Sequence, residues 1–389
     1  MKKLKNRPGR FLSIIAFFAL AMFLLAACSD PTPTTSPPTS TPEPTATLAP
    51  GETPQPTATP VPTATPTQGP PFYDGKTVRI TVGFSPGGGF DSFARVLARH
   101  LGDNIPGNPN IIVQNQPGAG SLIAANSVYA KQPGTGLEMV EYNFSINLQA
   151  ILGEEAAKFD PGKYLWLGDM SSGDANFMWI RGDHPTIKTM DDWKQTGEEL
   201  VFGASGAGSG TNINPSLLQE LGFNAKIILG YGGSADSILA MQRGEVDSTS
   251  LTRGSAEGAY RQLIDDGTIV PFVNMDLAQD PAFGAPIDAP RAIDFATNTF
   301  QEELARFVSS ASSNLRTFAF PPGTPDELVA IMRQAFADTV VDPEFIRESS
   351  LLGQTPLFAD GATVQEAAGN LANASPEVLA KYKAWLGIE

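Results

Sequence analysis

Hydrophobic positions along the chain fall into three regimes. From Phe11 to Ala27 they are nearly unbroken, with Ser13 the one polar residue among them. Between Ser29 and Pro71 they show no period, and proline and threonine dominate. From Phe72 onward, short β-branched runs alternate with stretches whose apolar residues recur every three or four positions. In this third regime the pattern predicts buried strands over 78–84, 110–114, 137–144, 201–204 and 226–230. It predicts helices over 92–99, 122–131, 214–221 and 237–243, with another opening at Ser145-Ile146-Asn147 and a return to the sheet over 244–250. Two further apolar runs, Leu165-Trp166-Leu167 and Phe177-Met178-Trp179-Ile180, stand where the chain is expected to cross between lobes.

Strands alternating with helices imply an α/β fold with parallel sheets, and ligands of such sheets sit at the carboxyl ends of the strands. Four strand-to-helix turns in this chain are rich in glycine: Ser85-Pro86-Gly87-Gly88-Gly89-Phe90-Asp91, then 115–121, 203–212 and Tyr231-Gly232-Gly233-Ser234. Each turn leaves helix-start N–H groups without intrahelical partners at the positive end of a helix dipole, a setting that favours an anion. Glycine lets the backbone come close where a Cβ would stand in the way. Two lobes whose glycine-rich strand ends face one another describe a cleft. The expected division is 1–27 signal, 28–71 linker, 72–180 first lobe, 181–309 second lobe, and 310–389 a return to the first lobe with C-terminal helices. Thr324 and Ser375 are expected helix caps followed by proline. Those tail helices are expected to cover the first sheet, with Trp385 packing there.

Composition adds an address. Lys2, Lys3, Lys5, Arg7 and Arg10 precede the apolar run, as in a secretory signal, and the run is shorter than a comfortable membrane span. It ends in Leu25-Ala26-Ala27-Cys28, which looks like a lipobox, and Cys28 is the one cysteine of 389 residues. An exported chain with one cysteine has no internal disulfide, so lipidation of Cys28 gives the thiol a use. The proline- and threonine-rich stretch after it favours extended polyproline II and would reach on the order of 130 Å. The expected location is therefore outside the cytoplasm, with a lipid on Cys28 tying the chain to a membrane surface. A formal net charge of −15 argues against nucleic acid as a partner. It also gives an anionic ligand no long-range attraction, so local N–H groups have to hold it.

The motifs, in order, are Phe84-Ser85-Pro86-Gly87-Gly88-Gly89 with Asp91 and Arg95, Val113 to Gly120, and Phe202 to Ser209. They continue with Gly230-Tyr231-Gly232-Gly233-Ser234, Gly244-Glu245-Val246-Asp247, and Phe320-Pro321-Pro322-Gly323-Thr324-Pro325 followed by Asp342-Pro343-Glu344. Together they resemble the substrate-binding proteins of tripartite tricarboxylate transporters, extracytoplasmic solute receptors, over nearly all of 77–357. One departure is Lys131 to Leu137, which stands where that family usually has an acidic-glycine-tyrosine-threonine turn. The resemblance implies a two-lobed periplasmic-binding fold, each lobe a mostly parallel sheet flanked by helices. It implies a small organic carboxylate as ligand, the membrane components of such a transporter as partners, and no cofactor. Carried onto this chain, the contacts would be Phe84, Ser85, Gly87, Gly88, Gly89, Phe90 and Asp91 from the first lobe, joined by Ser145. The second lobe would add Ser205, Gly206, Ser209, Thr211, Asn212, Tyr231, Gly232, Gly233 and Ser234.

Competing chemistry is poorly supported by the residues. Gly203-Ala204-Ser205-Gly206-Ala207 nearly matches a nucleophile elbow, but the two histidines, His100 and His184, both precede the serine, against the order of that fold. Two separated histidines and one cysteine form no metal-ligand cluster, and no phosphate-loop motif occurs. The expectation is a binding protein, not an enzyme, with a sensory or surface lipoprotein on the same fold as the alternative. Asp91 stands where a helix N-cap is expected, capping the first helix and bracing its loop, with direct ligand contact as the alternative. Asp247 is expected to serve structure, closing a turn at a strand start.

Overall fold

The computed structural model describes residues 70–171, 174–277, 287–311, 316–353 and 356–388. The expected signal, Cys28 and the linker as far as residue 69 lie outside them. The first half runs β1 (Thr77–Val82), α1 (Gly89–Leu101), β2 (Asn110–Asn115), α2 (Leu122–Tyr129), β3 (Glu138–Tyr142), α3 (Asn147–Ile151) and β4 (Leu165–Asp169). The chain then builds β5 (Asn176–Arg181), α4 (Met190–Thr196), β6 (Leu200–Ala204), α5 (Gly210–Glu220), β7 (Ala225–Leu229) and α6 (Ser234–Gln242). It continues with β8 (Ser248–Thr252), α7 (Arg253–Ala259), α8 (Arg261–Asp265), β9 (Ile269–Asn274) and α9 (Thr299–Ala311). Last come β10 (Thr317–Phe320), α10 (Asp326–Val340), α11 (Pro343–Leu351), β11 (Ala359–Asp360), α12 (Gly361–Asn370) and α13 (Pro376–Leu386).

Two sheets result, one ordered β11-β4-β10-β3-β1-β2 and the other β7-β6-β8-β5-β9. The pairs β1–β2, β1–β3, β6–β7 and β6–β8 are parallel, as the βα pattern predicts. The others are antiparallel, so both sheets are mixed rather than mostly parallel. The antiparallel strands gather where the chain crosses between sheets, from β4 to β5 and from β9 to β10. A strand that enters by such a crossing has no helical crossover to turn it parallel to its neighbour.

Side-chain alternation explains the layers. Val78, Ile80 and Val82 of β1 are fully buried and meet Phe93, Val96, Leu97 and Leu101, the apolar stripe of α1. Phe318, Met332 and Phe336 complete this face of the first sheet. Phe177, Trp179, Ile238, Met241 and Leu251 form the corresponding core on one face of the second. The largest cluster is continuous from Tyr142, Tyr164 and Trp166 through Ile146 and Leu148 to Trp193, Phe202 and Phe272, so the two lobes share buried apolar contact. Strands β2 and β7 are edges, which is why β2 alternates half-buried with exposed positions rather than being buried as its sequence suggests.

The tail divides. Helices α10 and α12 pack on β4, whereas α13 packs on α9, which in turn packs on α5. Tyr382 lies edge-on to Phe307, Lys381 pairs with Glu220 at 2.5 Å, and Trp385 sits beside Tyr382. Trp385 therefore stands on the second-lobe side and not over the first sheet, because the apolar face of α13 finds its partner in α9. Ser375 caps α13 by accepting from the Val378 N–H. Thr324 does not cap α10: its hydroxyl donates to the Pro321 carbonyl and the cap position is Pro325. Among the described residues no helix is long and apolar enough to cross a membrane.

Candidate ligand site between the lobes

The facing strand ends meet around a cavity of about 60 Å³, several times the volume that one water needs. Three helices of eight or more residues begin in its wall. Gly88, Gly89 and Phe90 come from the start of α1, Ser209, Gly210 and Thr211 from α5, and Gly233 and Ser234 from α6. The first amides of a helix have no acceptor within it, so each start brings donors to this wall. Phe84 stacks on Phe90, ring centroids 4.3 Å apart, and supplies an apolar side. Among the described residues no charged side chain lines the cavity.

The lobes touch around this space. The Ser85 N–H donates to the Gly232 carbonyl at 3.1 Å, and the Gly120 N–H to the Ser205 carbonyl at 3.1 Å. Ser85 Oγ donates to Asp236 Oδ2 at 2.8 Å, and Ser145 Oγ to the Gly208 carbonyl at 2.8 Å. Ser85, Ser145 and Gly232 thus join one lobe to the other and do not line the cavity. A Cβ on Gly206 would stand 2.8 Å from the Ala119 carbonyl oxygen, so that glycine permits the same closure.

The other expected site residues divide in the same way. Phe84, Gly88, Gly89, Phe90, Ser205, Ser209, Thr211, Gly233 and Ser234 line the cavity. Gly87, Asp91, Asn212 and Tyr231 do not. Gly87 takes φ +86, and its N–H donates to Asp91 Oδ2 at 2.9 Å. Asp91 also accepts from Arg95 Nε at 3.0 Å and from Asn115 Nδ2 at 2.8 Å, bracing the loop from beneath. It does not cap α1, whose cap position is Gly88. Burial pushes the Asp91 carboxyl up, yet hydrogen bonds from Arg95, Gly87 and Asn115 and the Arg95 charge outweigh it and hold the group below the usual carboxylate range. Asn212 ties its turn by donating to the Ala207 carbonyl at 2.6 Å. Tyr231 packs partly buried against the second-lobe core.

Sequence reasoning missed half of the second-lobe wall. Ser250, Leu251 and Thr252 at the end of β8 line the cavity, as do Ser255 of α7 and Asn176 at the start of β5; from the first lobe Asn143, after β3, was missed as well. Asn176 is 6% exposed, and its Nδ2 has no partner among the described residues. Ser250 Oγ accepts from Asn214 Nδ2 at 2.8 Å, leaving its own proton free to donate elsewhere. Part of the signal was present: 244–250 has the pattern of a return to the sheet, and the run Ser248-Thr249-Ser250-Leu251-Thr252 is polar apart from Leu251; that it is buried throughout and parallel to β6 at the cavity shows only in the fold.

Behind the wall lies a charged cluster. Arg316, 2% exposed, donates from Nη2 to Ser255 Oγ at 2.6 Å and stands 3.9 Å from Asp174 Oδ2. Its backbone N–H donates to Asp169 Oδ1 at 3.1 Å. Burial pushes Asp169 up to about 7 against hydrogen bonds from the Ser171 and Arg316 amides. Fully buried Glu141, neither of whose oxygens has a hydrogen-bond partner among the described residues, is raised well above the ordinary range by burial, only partly offset by the Arg316 charge.

The elements of a serine hydrolase are not brought together. Ser205 Oγ lies 3.2 Å from Thr211 Oγ1, while His100 Nε2 is 2.7 Å from Glu348 and His184 Nδ1 accepts from the Ile187 N–H. Asp247 accepts from the Val201 N–H and holds the strand start. No group of three His, Cys, Asp or Glu suited to a metal occurs among the described residues.

Known proteins with the same features divide into relatives by sequence and neighbours by structure. No family model matches the chain. A protein of Bordetella pertussis described as a UPF0065 protein is 22% identical over 281 residues, spanning 70% of this chain and 79% of that protein. Protein BugT of the same organism is 28% identical over 180 residues, 45% of this chain and 54% of BugT. Among solved structures, the periplasmic binding protein BugD superposes with a TM-score of 0.64 at 19% identity, covering 82% of this chain and 99% of its own. R. palustris Rpa4515 with adipate gives 0.63 at 19% identity, covering 81% and 98%. A TctC solute-binding protein from Polaromonas gives 0.51 at 19% identity, covering 81% and 99%. The chain thus has the two-lobed α/β fold of periplasmic binding proteins, and it is similar to Bug and TctC proteins, the resemblance that its glycine-rich turns carried.

Proposed function

We propose that the protein is an extracytoplasmic receptor that captures a small organic carboxylate between its lobes and hands it to the membrane components of a tripartite tricarboxylate-type transporter. One observation carries this reading: the starts of α1, α5 and α6, from both lobes, meet at one cavity walled by glycines, hydroxyls and side-chain amides, with no carboxylate among the described lining residues. Such a wall offers hydrogen-bond donors in excess and suits an anion of modest size. Closure of the lobes brings the second-lobe donors onto a guest already held by Gly88 to Phe90. A charge-assisted hydrogen bond contributes about 1.5–3 kcal/mol and a helix start about 0.3–1 kcal/mol. Several together reach the roughly 8 kcal/mol of micromolar binding without a basic side chain in contact. Adipate bound to Rpa4515, on the same fold, supports a carboxylate as the ligand class.

The N-terminal segment completes the reading as a secreted lipoprotein. A signal over 1–27, a lipid on Cys28 and a proline-rich spacer would hold the receptor near the outer face of the cell membrane. Native mass spectrometry of the purified full chain, followed by calorimetry with adipate and with citrate, tests the ligand class. The expected result is a co-purifying organic acid and exothermic binding of a carboxylate. A co-purifying cation or neutral lipid, with no carboxylate bound, overturns it.

A further inference from the structure

Ser255 and Arg316 come from opposite lobes, Ser255 from α7 and Arg316 from the position just before β10. Their contact passes through a gap at Gly89. A Cβ on Gly89 would overlap Ser255 Oγ, lie 2.6 Å from Ser255 Cβ and stand 3.0 Å from Arg316 Nη2. The cavity wall is therefore continuous with a buried cation only because residue 89 has no side chain.

The proton directions follow from the partners. Arg316 carries donors and no acceptor, so Nη2 fills one lone pair of Ser255 Oγ. Thr252 Oγ1 accepts from the Ser255 N–H at 3.0 Å and donates its own proton to Ser255 Oγ at 2.9 Å, filling the second lone pair. With both lone pairs occupied, the Ser255 hydroxyl proton has no partner within this trio, and Ser255 lines the cavity. The Phe93 ring, whose centroid is 5.1 Å from the Arg316 guanidinium carbon, holds the cation against the first lobe.

We propose that Ser255 contacts the ligand as an obligate donor and that Arg316 is a positioning residue acting through it, so that carboxylate binding and lobe closure are one coupled event. This rests on the carboxylate reading above. In the open form Ser255 keeps the Thr252 donor but loses the Arg316 one, so its proton gains a second direction. In the closed form the guanidinium both fixes the proton direction and polarises the O–H, which strengthens a bond to a charged acceptor. The device favours an ionised carboxylate over its amide or ester, since only an anion gains from the charge relayed through the serine.

The test is calorimetry of adipate, and of its uncharged diamide adipamide, with the full chain as wild type, Ser255→Ala, Arg316→Gln, Arg316→Lys and the Ser255→Ala/Arg316→Gln double variant. Small-angle X-ray scattering with and without adipate reports closure for each. Expected are a ten- to hundredfold loss for Ser255→Ala and for Arg316→Gln, and a double variant no weaker than the weaker single. Arg316→Lys, which keeps a cationic donor, should recover part of the loss. The ligand-induced contraction seen in wild type should shrink in Arg316→Gln. Additive losses, an Arg316→Gln variant that binds and contracts as wild type does, or equal losses for acid and amide overturn the relay while leaving the carboxylate receptor standing. A wild type that binds neither probe nor any co-purifying acid overturns the receptor reading and the relay with it.

Discussion

Replacing Gly89 by alanine separates folding from closure. The residue opens α1, and its φ lies outside the left-handed region, so alanine adopts this backbone without strain and raises helix propensity by up to about 1 kcal/mol. Its Cβ would stand 2.6 Å from Ser255 Cβ, whereas carbon atoms rest at about 3.5–4.0 Å, so the lobes must part locally by about 1 Å. Turning the Ser255 side chain relieves the overlap with its Oγ but not with its Cβ. A parting of that size stretches the 2.6 Å Arg316–Ser255 bond beyond the ordinary hydrogen-bond range and moves the second-lobe donors away from the guest. Losing two charge-assisted bonds to the ligand costs about 3–6 kcal/mol, a hundredfold or more in affinity. Thermal unfolding together with calorimetry of adipate on the Gly89→Ala chain reads both effects. The expected outcome is an unchanged or higher Tm with affinity down at least a hundredfold. Wild-type affinity in a well-folded variant would refute the steric reasoning, and a collapsed Tm would show that Gly89 serves the fold itself.

Three further outcomes follow from the buried polar groups. Asp91→Ala should destabilise by about 1.5–3 kcal/mol in a denaturant titration, because Gly87, Asn115 and Arg95 all lose their acceptor. Since its folded pKa is depressed, that stabilisation is present above the unfolded value and is lost as pH falls through the folded one. Asp169 behaves oppositely: with a folded pKa of about 7 against about 3.9 unfolded, it keeps its proton in the native state across that window, so its contribution falls as pH rises from 4 to 7 and is level above. Asp169→Asn retains the oxygen that accepts from Ser171 and Arg316 and should flatten this part of a stability–pH profile. A slope identical to wild type would assign it to another group. Asn176→Ala removes a buried amide whose Nδ2 has no partner among the described residues, so calorimetry should show at least a tenfold loss in carboxylate affinity while the Tm holds or rises.

Much of the first-lobe wall was legible because it is local. A strand, three glycines and a helix over Ser85 to Asp91 are contiguous, and the chemistry of a helix start depends on nothing farther away. The same holds for Ser205 to Asn212 and for Gly233-Ser234. What those glycines admit was not legible. Gly88 and Gly89 read as openings for a ligand, yet Cβ atoms there would meet Ser234 Oγ at 2.8 Å and Ser255 of the facing lobe. Ser85 and Ser145 read as ligand contacts and are bonds between lobes, a distinction that needs the register of one lobe on the other. Asn176 and Arg316 carry no local signature, since each reaches the site only through the antiparallel strands where the chain crosses between sheets; Asn143 follows β3, parallel to β1, and was passed over for its neighbour Ser145. The first crossing was legible near Leu165-Trp166-Leu167 and Phe177 to Ile180, but its antiparallel sense was not, because an apolar run has the same pattern in either strand direction.

The central claim is that backbone amides and hydroxyls, not basic side chains, hold the ligand. The most direct measurement is a crystal structure of the protein with its co-purified or titrated carboxylate. The account predicts carboxylate oxygens within about 2.7–3.2 Å of helix-start amides drawn from Gly89, Phe90, Gly210, Thr211 and Ser234, with the Ser255 hydroxyl donating. A carboxylate gripped directly by a lysine or arginine, or seated anywhere other than between the two sheets, would contradict it.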